Sequence, residues 1–252
     1  MTFKVYIPAR HASSRLPGKP LLLLGGKPII QHVYDNARFS GAEEVVVATD
    51  DDSVARTAAE FGAIVVRTAG THVSGTDRIA EAVAIRSESD DTIIVNVQGD
   101  EPQLPATVIR QVAGLIESNT GVDIATVCEP IEDASELDDP NIVKVVRADN
   151  QQAIYFSRAP IPHARGGREL KLAYYRRHVG IYAYTREALN DWVALAPSQL
   201  ERLESLEQLR PLEAGLKIGV AIVGAADPGV DTMADVLRME EKLSTQGIPS
   251  FA

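Results

Sequence analysis

The sequence predicts an α/β sandwich, a mostly parallel sheet between helical layers that carries a smaller inserted subdomain. Three observations predict it. Short β-branched runs alternate with segments of helical period through the first half of the chain, as in successive strand–helix units. The alternation breaks after Cys128, where three strand-like runs follow one another. Helical period then returns from Thr185, ahead of one further strand and a closing helix.

In chain order, Phe3–Pro8 reads as the first strand and Pro28–Phe39 as the first helix. Pro28 suits a first-turn position, where the helix uses no amide hydrogen. Glu44–Thr49, Ala63–Arg67, Thr92–Val97 and Ile124–Cys128 are the next strands, separated by helices Ser53–Phe61, Thr76–Arg86 and Pro105–Glu117, with Pro105 again at a helix start. Ile142–Arg147, Ala153–Ser157 and His178–Tyr184 form a mixed or antiparallel insertion at about residues 130–185, read as a dimerisation flap. Thr185–Leu195 and Leu200–Ala214 are expected helices, Ile218–Val223 a late strand and Met233–Ser244 the closing helix.

Of the 252 residues, 45% are hydrophobic and 24% charged, the balance of a globular chain able to bury a sizeable core. No low-complexity linker interrupts the pattern, so one elaborated domain is expected; the loosest stretch is the basic loop Pro162–Lys171. The net charge of −10 disfavours a nucleic-acid polymer as partner but leaves room for a small anion held by a few placed cations. Cys128 is the only cysteine, which rules out an intramolecular disulfide framework and fits a reduced, cytoplasmic setting. No apolar run approaches the roughly 18 residues of a membrane span.

The loop after the first strand, Pro8 to Pro20, holds Arg10, Arg15 and Lys19 together with Ser13 and Gly18. In an α/β fold this is where the ligand crevice forms, and backbone amides, Arg forks and a Lys ammonium there can hold a triphosphate. The alternative is a solvated basic loop. The segment matches neither G-x-G-x-x-G nor G-x-x-x-x-G-K-[ST], which weakens a dinucleotide enzyme or a P-loop ATPase. Asp100 follows the fourth strand and Asp231 the late strand, so two distant carboxylates could converge on magnesium, a cation that prefers oxygen ligands. Equally, Asp231 or Thr232 could cap the last helix, and Asp100 could stabilise a turn before Pro102. Asp50-Asp51-Asp52 reads as a solvated turn and helix start, outside any metal site, and Ser74 or Thr76 as a cap for the helix carrying Arg78. Arg158, at a strand end, could grip a carboxylate bidentately or make a surface ion pair. His178 and the Glu207-Gln208 pair have structural alternatives too, a satisfied histidine and a polar helix face.

The strings P-A-R-H-A-S-S-R-L-P-G-K-P-L, A-T-D-D, S-G-T-D-R-I, N-V-Q-G-D-E-P, L-E-Q-L-R and G-V-D-T run in order from the first strand to about Leu237. Together they resemble the 3-deoxy-manno-octulosonate cytidylyltransferase family, the CMP-Kdo synthetases. The resemblance implies a nucleotide-diphospho-sugar transferase-like fold and transfer of CMP from CTP to the anomeric hydroxyl of Kdo, with release of pyrophosphate, for lipopolysaccharide biosynthesis. It implies magnesium on Asp100 and Asp231, with Lys19 as a further catalytic group. Arg10, Ser13, Arg15, Lys19, Arg78 and Gln98 are implied at CTP, and Arg158, His178, Tyr182, Glu207 and Gln208 at the sugar. A homodimer is implied as well. Related acidic sugars, 8-amino-Kdo or sialic acid, and a CTP-binding module without catalysis are the alternatives. Gly18-Lys19-Pro20 departs from the K-N ending of sialate enzymes, and the G-G-x-G-T-R-L opening of sugar-phosphate enzymes is missing.

Overall fold

The computed structural model describes residues 2–11, 16–118, 121–165, 169–224, 229–230 and 232–246. Strand β1 (Lys4–Ala9) leads through a short 3-10 turn at Lys19–Leu21 and the two-residue strands β2 (Leu23–Leu24) and β3 (Lys27–Pro28) into helix α1 (Ile29–Phe39). Three strand–helix steps follow: β4 (Glu44–Thr49) with α2 (Asp52–Glu60), β5 (Ile64–Arg67) with α3 (Gly75–Ile85), and β6 (Ile93–Asn96) with α4 (Ala106–Glu117). The later elements are β7 (Ile124–Pro130), β8 (Lys144–Arg147), β9 (Ala153–Ser157), β10 (Arg176–Thr185), α5 (Arg186–Ala194), α6 (Gln199–Glu204), α7 (Leu209–Glu213), β11 (Ile218–Ile222) and α8 (Met233–Gln246). The result is an α/β fold, a mixed sheet with flanking helices, as the periodicity predicts.

The chain forms two compact units, each built from separate stretches. One comprises residues 4–87, 96–106 and 227–252. Its strands β1, β4 and β5 are parallel, with Lys4 opposite Glu44 and Val46 opposite Ile64, and the β-branched runs of β1 and β4 are buried. Capping sets the helix starts. Asp51 accepts from the Ser53 and Val54 amides at α2, and Ser74 accepts from the Asp77 amide at α3. Pro28 stands at the N-cap of α1, just outside the first turn where the sequence places it. Leu16, Leu24, Ile29, Val230, Val236 and Met239 form one apolar cluster that anchors the far end of the first loop against α8.

The second unit comprises residues 1–3, 88–95 and 107–226. Here β7 pairs parallel with β11 and antiparallel with β10, while β8 pairs antiparallel with β9 and β10, which is the antiparallel insertion read from the sequence. Helix α5 starts on Thr185, whose side chain accepts from the Ala188 amide, and buries Ala188, Leu189 and Trp192.

One expectation is corrected. The helix read over Leu200–Ala214 is two helices, α6 and α7, parted at Ser205 in the left-handed region at φ 52°. Pro211 supplies the reason: a continuous helix needs an amide hydrogen that proline lacks, and its ring would meet the carbonyl of Glu207. In the shorter α7 it falls in the first turn, where no hydrogen is required.

Candidate active site

In the unit built around β1, the segment after β6 is drawn alongside the end of β1. The Val97 amide donates to the Tyr6 carbonyl at 3.1 Å. At Gly99 a Cβ would stand 2.9 Å from the Pro8 carbonyl oxygen, so glycine alone permits this approach, and Asp100 is carried to the carboxyl end of the first strand. There Lys19 Nζ donates to Asp100 Oδ2 at 2.7 Å. The lysine side chain is only 9% exposed and the aspartate 37%, so the ammonium is held in place while the carboxylate faces outward. The loop bearing Lys19 closes through the Gly18 amide, which donates to the His11 carbonyl at 3.0 Å with Gly18 at φ 72°. Arg10 is exposed at its start. Ser13 and Arg15 lie outside the described residues, as does Asp231. Its neighbour Val230 donates its amide to the Asp100 carbonyl at 2.9 Å.

Arg78 is buried at the start of α3. Its guanidinium donates to Thr68 Oγ1 at 2.6 Å and lies 3.1 Å from Asp50 Oδ1, close enough for an ion pair but without hydrogen-bond alignment. The aspartate triplet therefore splits its duties, Asp50 facing Arg78 and Asp51 capping α2, where the Val54 amide holds the Asp51 carboxyl below the usual range. Gln98 Nε2 donates to Asn96 Oδ1 at 3.2 Å, leaving Gln98 Oε1 as an acceptor.

Magnesium needs few protein ligands, since it keeps waters and shares its shell with phosphates. Among the described residues no group of three or more His, Cys, Asp or Glu side chains forms a cage. The outward-facing carboxylate of Asp100, with one oxygen on Lys19, is the kind of hard, partly open donor such a shared shell uses.

In the other unit, Arg158 follows β9. Its Nε donates to the Glu204 carbonyl at 2.7 Å, Nη1 to the Pro140 carbonyl at 2.8 Å and Nη2 to the Ser205 carbonyl at 3.3 Å. The left-handed turn between α6 and α7 thus aims two carbonyls at one guanidinium. Glu204 also clamps the preceding turn, its carboxylate accepting from Ser157 Oγ at 2.6 Å and from the Arg158 amide at 2.9 Å. Among the described residues three of the five guanidinium donors are engaged, all by carbonyls, and no carboxylate side chain pairs with the guanidinium. Beneath it the fully buried Lys144 donates to the carbonyls of Asp139 and Ile142, and burial lowers its pKa.

His178 Nε2 lies 2.9 Å from Thr126 Oγ1, and its ring packs edge-on to Phe156 and 5.6 Å from that of Tyr182. Loss of solvent around the imidazole pushes its pKa down to about 3, so it is neutral at physiological pH. Burial, aided by the Glu207 charge, pushes the Tyr182 phenol well above its usual range, so it stays a donor. Gln208 is buried at the N-cap of α7, beside the half-buried Glu207. Thr126, Ser157 and Glu204 carried no sequence signal, because each acts through a partner distant in the chain. Cys128 is buried, and desolvation raises its thiol to about 11, so it stays protonated and unreactive.

Residues 5–218 match the family model described as Cytidylyltransferase. The chain is 50% identical over 248 residues to the 3-deoxy-manno-octulosonate cytidylyltransferase of Thioalkalivibrio sulfidiphilus, covering 96% of this chain and 99% of that protein. To the protein of the same name from Nitrosococcus oceani it is 51% identical over 254 residues, 98% of each chain. The solved structure of CMP:2-keto-3-deoxy-manno-octonic acid synthetase complexed with CTP is 43% identical, with a TM-score of 0.90 over 97% of this chain and 98% of that one. A cytidylyltransferase from Leptospira borgpetersenii, at 18% identity and a TM-score of 0.62, shares the fold.

Proposed function

Since the chain belongs to the cytidylyltransferase family, we propose that it transfers CMP from CTP to the anomeric hydroxyl of 3-deoxy-D-manno-octulosonate, giving CMP-Kdo and pyrophosphate. The observation that carries this reading is the Lys19–Asp100 contact at a strand's carboxyl end, in a chain similar over nearly its whole length to a structure solved with CTP. Arg10, Ser13, Arg15, Lys19, Arg78 and Gln98 are assigned to CTP. Lys19 supplies a fixed positive charge to the phosphates, and the bracing of Arg78 by Thr68 and Asp50 keeps the start of α3 in position. Asp100 and Asp231 are the residues that would hold magnesium, which when bound offsets phosphate charge. The sugar is assigned to Arg158, His178, Tyr182, Glu207 and Gln208: the guanidinium takes its carboxylate, and the neutral groups take its hydroxyls. The reaction demands positioning and charge stabilisation, and no covalent enzyme intermediate is required.

Pyrophosphate release decides the matter. With magnesium present, each of ATP, GTP, CTP and UTP is crossed with Kdo, 8-amino-Kdo and sialic acid, and turnover is expected for CTP with Kdo. Strong CTP binding without turnover of any sugar would instead make the chain a binding module.

A homodimer is proposed too, with the insertion as the contact. Ile154 on β9 and Tyr174 just before β10 are 59% and 74% exposed, apolar surface of the kind a second copy covers. Light scattering should return twice the chain mass; a single chain mass at micromolar concentration would exclude the dimer.

A further inference from the structure

Strand β10 pairs unevenly with β7. Val179 stands opposite Val127 and Tyr182 opposite Thr126, so Gly180 and Ile181 fall in a bulge without partners across that ladder. Bulges bend a strand and re-aim its side chains. The hydroxyl of the fully buried Thr126 fills this one. Its Oγ1 lies 2.7 Å from the Ile181 carbonyl oxygen, 3.3 Å from that of Val179 and 2.9 Å from His178 Nε2.

These contacts settle where the protons are. A hydroxyl has one hydrogen, and carbonyl oxygens only accept. Were that hydrogen turned toward Nε2, Thr126 Oγ1 and the Ile181 oxygen would face each other at 2.7 Å with nothing between them. The hydrogen therefore goes to Ile181, and Oγ1 accepts from a protonated Nε2. Nδ1 keeps its lone pair. Among the described residues nothing bonds Nδ1, and the residue as a whole is half-buried.

We infer that Thr126 is a positioning residue of the sugar site, its hydroxyl holding His178 as the Nε2–H tautomer so that Nδ1 accepts a hydrogen bond from a sugar hydroxyl. The inference rests on the assignment of His178 to the sugar. It also divides the labour of recognition: an imidazole that only accepts cannot bind the sugar's carboxylate, which is left to Arg158. The packing of the ring against Phe156 and Tyr182 fixes its plane, and its resistance to protonation keeps the acceptor available.

Thr126→Val keeps the shape and removes the hydroxyl; Thr126→Ser keeps the hydroxyl. In the ligand-free protein, long-range 15N–1H correlation at pH 7 should show His178 as a single Nε2–H tautomer in the wild type and in Thr126→Ser, and a mixture in Thr126→Val. In turnover assays Thr126→Val should raise KM for the acidic sugar about fivefold, the worth of one hydrogen bond, with kcat and the KM for CTP little changed. A single Nε2–H tautomer in Thr126→Val, or an Nδ1–H tautomer in the wild type, overturns the inference. So does an equal loss of kcat and of both affinities in both variants, the mark of a merely structural role. The spectra are read without substrate, so they decide the tautomer even if the sugar proves to be another.

Discussion

Asp100→Asn is expected to lower kcat by about a thousandfold while leaving the fold intact. Asparagine has the same shape, so the loop that Gly99 draws against Pro8 keeps its backbone contacts, including the bond from the Val230 amide to the Asp100 carbonyl. What disappears is the anion. Its loss removes both the partner of Lys19 at 2.7 Å and an oxygen donor hard enough for magnesium. Charge stabilisation of a developing transition state is where single groups matter most, on the order of 100- to 1,000-fold for one lost donor. Stability should change by no more than about 1 kcal/mol, because the carboxylate is partly exposed. Pyrophosphate release and thermal melting check the two halves together. A purified variant turning over within tenfold of wild type would remove Asp100 from the chemistry.

Trp192→Ala should have the largest effect on stability, about 3–5 kcal/mol. The indole, 1% exposed, is the largest fully buried side chain on α5. Tyr182 and Tyr184 meet it edge-on with ring centroids at 5.5 and 6.1 Å, both at 85°, an arrangement that adds to the value of the buried area. Deleting it opens a cavity beneath Tyr182, whose ring also contacts His178, so affinity for the acidic sugar should fall as well. Urea denaturation at 25 °C measures the first effect, and a loss below about 1 kcal/mol would show that the core closes over the gap. Trp192→Phe, which retains an aromatic face, should lie between the two.

Much of the fold is legible in the chain, for a local reason. Runs such as Glu44–Thr49 and Ala153–Ser157 are strands in the residues where the sequence places them, and Ser74 and Thr185 announce helix starts because capping needs only neighbours. The break within Leu200–Ala214 was also written locally, in Pro211. Ser205, by contrast, is neither Gly nor Asn, and nothing in its own chemistry marks the left-handed conformation it adopts. It turns there where two carbonyls meet the Arg158 guanidinium, a residue 47 positions away.

The candidate site divides along the same line. By itself the sequence determined the alternation of strands and helices, the cationic loop after the first strand and the carboxylate after the fourth, because each follows from periodicity or from a short motif. Only the tertiary structure decided that Lys19 touches Asp100, that Glu204 and three carbonyls hold Arg158, and that Thr126 sets the protons of His178. Those pairings join residues 18 to 81 positions apart. Distances of that kind depend on strand register, on a bulge and on one glycine's close approach, and they exist only once the chain has folded back upon itself.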